Sequence, residues 1–164
     1  MSAPSSCGAD APAKASRLRV MPPRLFAGLL AATVVVALVL PSHGIDPSPL
    51  RYLIGGLLVG VGIALNLTSD QQLKRAQTTV KPYGEPATLV TGGAFRLTRN
   101  PMYLGMALIL AGAAVAFGGL LALVCPLVFV IAVQRWFVRT EEANAQAAFG
   151  ERYLAYRTRV RRWL

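Results

Sequence analysis

Between Arg99 and Arg135 the chain carries no charged residue, and the run Pro101–Gln134 limits the possible folds more than any other stretch. As one straight helix rising 1.5 Å per residue it would extend roughly 50 Å, well past the roughly 30 Å of a bilayer's hydrocarbon core. It has to fold back. Gly118-Gly119 is the natural turn, which makes a tight helical hairpin with both ends on one face of a membrane. Pro126 is expected to kink the second leg. Asn100-Pro101 reads as the start of the first leg. Asn caps free N–H groups of a first turn, and proline fits the first helical position because its missing N–H costs nothing there.

Two more uncharged runs, Leu25–Leu40 and Tyr52–Leu67, precede the hairpin. The first is short, but Arg24 can snorkel and extend it. It lacks the small residues a signal-peptide cleavage site needs, since Leu-Val-Leu precedes Pro41, and so reads as an uncleaved span. In the second, Gly56 and Gly60 have the GxxxG spacing that lets another helix approach closely. Gly60-Val-Gly62 is not a nucleotide loop, because it lies inside a span with no strand before it. With 54% hydrophobic and 15% charged residues the chain does not read as an ordinary soluble domain. The expected fold is all-α: an integral membrane bundle of four transmembrane helices with a C-terminal interfacial helix. The spans fall at about 24–40, 51–69, 101–117 and 120–138. A disordered Ser/Ala/Pro-rich tail, 1–23, precedes a single membrane domain, 24–164.

The net charge of +10 is distributed unevenly. Four basic residues precede the first span, five lie between Asp70 and Asn100, and seven follow the hairpin; Arg51 alone sits in the first short connection. The positive-inside rule then places both termini and the 70–100 loop in the cytoplasm, with the plasma (inner) membrane the expected location. These charges flank apolar runs and do not line a face with aromatics, so no nucleic-acid partner is expected. Cys7 and Cys125 make no CxxC or Cys/His cluster, and no metal site is expected.

The only concentration of chemistry is on the cytoplasmic side. The sole histidine, His43, is on the other face, so there is no Ser-His-Asp set. No acidic residue lies within a span, which argues against a proton-coupled exporter. What remains is Arg96, Arg99, Asn100 and Tyr103 at one end of the hairpin and Glu141-Glu142 at the other. Singly, each has a plain reading. The arginines serve as snorkelling anchors. The glutamates serve as a solvated helix start after Thr140. Tyr103, Tyr153, Tyr156 and Trp163 serve as an interfacial aromatic belt. Their joint occurrence is what carries information.

Leu89-Val90-Thr91-Gly92-Gly93-Ala94-Phe95, Arg99-Asn100-Pro101-Met102-Tyr103, an apolar hairpin, Glu141-Glu142 and Phe149-Gly150-x-x-Tyr153-x-x-Tyr156 follow in order. This arrangement resembles the isoprenylcysteine carboxyl methyltransferase and phospholipid methyltransferase superfamily over about residues 79–160. The resemblance implies an integral membrane enzyme that transfers a methyl group from S-adenosylmethionine to a lipid-associated or small apolar acceptor. It implies cofactor contacts at Thr88, Leu89, Val90, Phe95 (in place of the family tyrosine), Asn100, Pro101, Tyr103, and Glu141 or Glu142. Arg99 and Arg139 are the candidate catalytic residues. Asn100 matches the phospholipid enzymes and replaces the histidine of the prenylcysteine enzymes. The arginine that the latter place four residues before a motif glutamate is absent, since Phe137 and Val138 stand there. A lipid amine, a lipid-linked carboxylate and a small thiol remain open as acceptors. Gly105, Ala107, Ala111 and Gly112 leave either an entry groove or a close helix contact. Two other classes stand beside this one, a non-catalytic membrane protein and a membrane reductase of related fold using NADPH.

Overall fold

A computed structural model describes residues 21–39, 48–77, 88–118 and 120–164. The tail up to residue 20, Cys7, His43, residues 78–87 and Gly119 lie outside the described residues. Six α-helices appear among these residues: α1 Pro22–Val39, α2 Pro49–Arg75, α3 Pro101–Phe117, α4 Val124–Val133, α5 Arg139–Phe149 and α6 Glu151–Arg159. A 3₁₀ turn at Leu121–Leu123 and a π-helical segment at Gln134–Val138 join α4 and α5 into one helix, Leu121–Phe149. No strand is present among the described residues.

The protein is a membrane-embedded helical bundle. Three helices are long and apolar enough to cross a bilayer: α1, α2 and the 29-residue Leu121–Phe149. α3 is apolar but shorter, at 17 residues, and it is the helix the others surround, packing against α1, α2 and α4. The hairpin turn falls where expected. Gly118 takes φ +76°, the left-handed conformation that costs glycine nothing, and its N–H caps α3 by donating to the Val115 carbonyl at 3.0 Å. Arg51 packs against this helix C-terminus, so its cation meets the negative end of the α3 dipole. Pro126 lies in the opening turn of α4, directly after the change from 3₁₀ to α geometry. The irregularity further along this leg is instead the π segment.

α2 and α3 run antiparallel, and their contact corrects one sequence expectation. Gly56 and Gly60, the GxxxG pair, are exposed and face open space. The close approach is made by Gly55 against Gly112 and Gly62 against Gly105, two glycines seven apart on each helix. A Cβ on Gly62 would stand 2.5 Å from the Gly105 carbonyl oxygen, and one on Gly55 2.7 Å from that of Gly112. Backbones this close maximise dispersion contacts where lipid supplies no hydrophobic drive. Gly105 and Gly112 are therefore covered by α2 and leave no groove, and Ala107 is buried in the core.

That core joins Tyr103, Ala107 and Leu110 of α3 to Phe129, Val133, Phe137 and Val138 of the second leg, at helical spacings. Phe26 of α1 meets Phe129 edge-to-face at 6.2 Å. Three polar residues in the spans bond to their own helix: Thr33 Oγ1 to the Leu29 carbonyl (2.8 Å), Asn66 Nδ2 to the Gly62 carbonyl (2.9 Å) and Ser69 Oγ to the Leu65 carbonyl (2.6 Å). No water is available at that depth to do it for them.

The C-terminal part departs from the expected single interfacial helix. α5 and α6 are separated at Gly150, φ +51°, and residues after α6 return to the bundle. Trp163, expected in an aromatic belt, packs against the core and donates from Nε1 to Gln134 Oε1 at 3.1 Å.

Candidate functional site

The loop entering α3 is held from three sides. From α2, the Gln72 side-chain amide bridges the loop, its nitrogen donating to the Gly92 carbonyl (3.0 Å) and its oxygen accepting from Ala94 N–H (3.3 Å). Gly93 has φ +55°, and a Cβ there would collide with Gln72, which explains the glycine at this position. From α6, Tyr156 Oη donates to the Phe95 carbonyl at 2.7 Å. From the chain after α6, the Arg161 carbonyl accepts from Arg99 N–H (3.0 Å), and the Arg162 carbonyl accepts from Thr98 Oγ1 (2.9 Å) and Asn100 Nδ2 (3.0 Å).

Asn100 thus differs from its expected role. Its side chain makes no cap bond to α3; it is buried and spent on the Arg162 carbonyl. The Glu141-Glu142 pair also differs from a solvated helix start. The helix passes through it unbroken from Leu121, so no free N-terminus exists there, and both side chains are largely buried.

Between this loop, α5 and α6 lies an open cleft of about 610 Å³, counting its mouth. Of the residues anticipated from the sequence, Thr88, Leu89, Val90, Phe95, Arg99, Asn100, Glu141 and Glu142 line it. Tyr103 stands behind it, donating to Glu141 Oε1 at 2.6 Å, and Pro101 is buried at the start of α3. Arg139 is exposed and is not part of the lining. The structure adds Leu73, Ala145, Phe149, Tyr153 and Tyr156 to the walls. It also adds Arg162, which binds both oxygens of Glu142, Nε to Oε1 at 3.0 Å and Nη2 to Oε2 at 2.5 Å. Arg162 carried no local signal, since it is one of several arginines in a basic C-terminal run.

The two glutamates have different electrostatic surroundings. Glu142 lies between Arg162 and Arg99, the latter with Nη1 3.1 Å from Oε1. Glu141 has no cationic partner among the described residues. Burial pushes its carboxyl above the usual range and the adjacent Glu142 charge adds to this, while the Tyr103 hydroxyl opposes it. Burial likewise pushes Tyr156 up to about 12, so it stays a neutral donor to the loop. The cleft therefore offers a desolvated carboxylate on one wall, a buried guanidinium on another, and apolar or aromatic surface between them.

Comparison with known proteins fits this geometry. The phospholipid methyltransferase family model matches residues 50–152, well over half of the chain, from α2 through the first residues of α6. The chain belongs to the phospholipid methyltransferase family. It is also 33% identical over 63 residues to an uncharacterized protein of Haemophilus influenzae, across 38% of this chain and all of that protein. No solved structure matches it.

Proposed function

We propose that the protein is an integral membrane methyltransferase that binds S-adenosylmethionine in the cleft and methylates a lipid-associated or small apolar acceptor. The observation that carries this reading is that one half-apolar cleft is lined both by Glu141, a carboxyl with no cationic partner among the described residues, and by the buried guanidinium of Arg99. The cofactor has a matching pattern: a cationic end, a carboxylate, and an adenosine that needs apolar and aromatic surface. Glu141 would face the ammonium, since Glu142 is already paired, and Arg99 the carboxylate. Leu89, Val90, Phe95 and Tyr153 would line the adenosine's place. The residues present fit the cofactor.

When bound, the cofactor supplies an electrophilic methyl group. The chain's own part is to orient it, exclude water and admit the acceptor. Four spans with both termini cytoplasmic, α3 included, would put the cleft at the membrane boundary. An acceptor with an apolar anchor then reaches it from the bilayer. Gly105, Gly112 and Ala107 of α3 do not form that route, being covered by α2 or packed in the core.

The test is ligand binding by the purified protein in detergent. S-adenosylmethionine should raise the thermal midpoint, because a ligand that binds only the folded state stabilises it by mass action. NADPH should leave the midpoint unchanged. Stabilisation by NADPH alone would favour a reductase, and stabilisation by neither a non-catalytic role.

A further inference from the structure

Three charged groups, Arg99, Glu142 and Arg162, form one contiguous cluster at the edge of the cleft with a formal charge of +1. They do not share their hydrogen bonds evenly. Arg162 engages both Glu142 oxygens, a bidentate pairing and the strongest geometry for these groups. Toward Glu142, Arg99 is left with a single off-axis contact. Its side chain is only 9% exposed, and its Nε and Nη1 groups are buried without a hydrogen-bond acceptor. The Tyr153 hydroxyl is a further polar neighbour of this guanidinium, but it does not serve those two nitrogens. Leaving charged donors idle in a buried place is costly, so such donors point to a group that arrives from outside.

We propose that Arg162 is a positioning residue: by binding both oxygens of Glu142 it keeps that carboxylate from fully engaging Arg99, which can then receive an anionic oxyacid group, a carboxylate or a phosphate, in the cleft. For the identity of the ligand this rests on the methyltransferase reading; the arrangement of the three charges does not. Without the Arg162 side chain, Glu142 has one cationic neighbour left. Its Oε1 already lies 3.1 Å from Arg99 Nη1, and a small rotation would make that pair bidentate. Glu142 would then compete with the ligand for Arg99. The segment itself would stay docked, because Thr98 and Asn100 bond to the Arg162 backbone carbonyl and Trp163 bonds to Gln134. This separates the proposal from a plain packing role. Loss of a packing residue adds to a second loss nearby, whereas loss of a competitor's restraint is reversed by deleting the competitor.

The experiment compares full-length wild type, Arg162→Ala, Arg162→Lys, Glu142→Ala and the double variant Glu142→Ala/Arg162→Ala in detergent. Three probes are used: S-adenosylmethionine and its decarboxylated analogue by calorimetry, inorganic phosphate against chloride at equal ionic strength by thermal shift, and methyl transfer to vesicles containing phosphatidylethanolamine. Arg162→Ala should weaken anion binding by about tenfold or more, and the double variant should recover to within about threefold of wild type. Arg162→Lys, which cannot bind both oxygens, should fall between. Loss and recovery for S-adenosylmethionine but not its decarboxylated analogue identify the cofactor carboxylate as the anion. The same pattern confined to the KM for the lipid identifies the acceptor phosphate. A double variant as weak as Arg162→Ala, or weaker, for every probe overturns the proposal. The phosphate pattern without S-adenosylmethionine binding by wild type upholds the anion subsite and rejects the methyltransferase reading. Normal S-adenosylmethionine binding without loss and recovery for any probe does the reverse.

Discussion

Adjacent in the chain, Glu141 and Glu142 do different work because a helix points neighbouring side chains about 100° apart. Glu142 turns into a pair of arginines, and Glu141 into the cleft and the Tyr103 hydroxyl. The raised pKa of Glu141 has two consequences of defined sign. In the free protein the folded state holds this proton more tightly than the unfolded chain, so stability falls as pH rises from the ordinary value of 4.5 through the raised one. A bound cation favours the carboxylate, so affinity for a cationic ligand rises over the same interval, with release of a proton. Glu141→Gln should remove both slopes and weaken S-adenosylmethionine binding by roughly tenfold or more at neutral pH, the usual scale for a charge-assisted hydrogen bond. Calorimetry in buffers of different ionisation enthalpy measures the proton release directly; a wild-type protein that releases none would contradict the assignment. The sequence made most of the cleft-lining residues legible through their order along the chain, but not the partner of each. Asn100 looks like a cap because capping is a local rule, and its real partner lies 62 residues away. Arg162 was hidden because its partner Glu142 lies 20 residues away and nothing local sets it apart from the other arginines of the basic C-terminal run.

At the level of helices, the sequence revealed where the apolar runs lie and where the hairpin turns, because charge spacing and Gly118 report these directly. It did not reveal which face of α2 meets α3. Gly55, Gly56, Gly60 and Gly62 are chemically alike, and only the observed packing separates the buried pair from the exposed one. Substitution tests that separation. Gly62→Ala and Gly105→Ala should each cost more than about 1 kcal/mol, since a methyl group enters against a backbone carbonyl that has little room to move. Gly56→Ala and Gly60→Ala should stay within about 0.5 kcal/mol of wild type. Denaturation in mixed detergent micelles would resolve the two groups, and equal costs would mean that the helix pairing is wrong. The π segment at Gln134–Val138 was equally invisible, because no residue type marks it. It accommodates an extra residue in one turn, a feature that recurs near functional sites. It lies between the core residue Val133 and the glutamate pair and sets the angle between them.

For the whole molecule, the cations that flank the apolar runs fall, Arg51 apart, on the side that the charge pattern assigns to the cytoplasm. Reporter fusions after Thr91 and Leu164 should therefore read cytoplasmic, and fusions after Pro41 and Gly119 should read extracytoplasmic. A reversed signal at Thr91 or Leu164 would contradict the four-span arrangement. The cleft is built from residues between Leu73 and Arg162, and α1 lends it no lining side chain. That order has a consequence in time. A ribosome delivers residues from the N-terminus onward, so every bilayer-crossing helix is made before the segment that clamps Thr98, Asn100 and Glu142. During biosynthesis the cleft has no closing piece until the residues after α6 have been released. A ligand of this cleft would therefore meet helices already made, and its stabilisation would act on the finished fold.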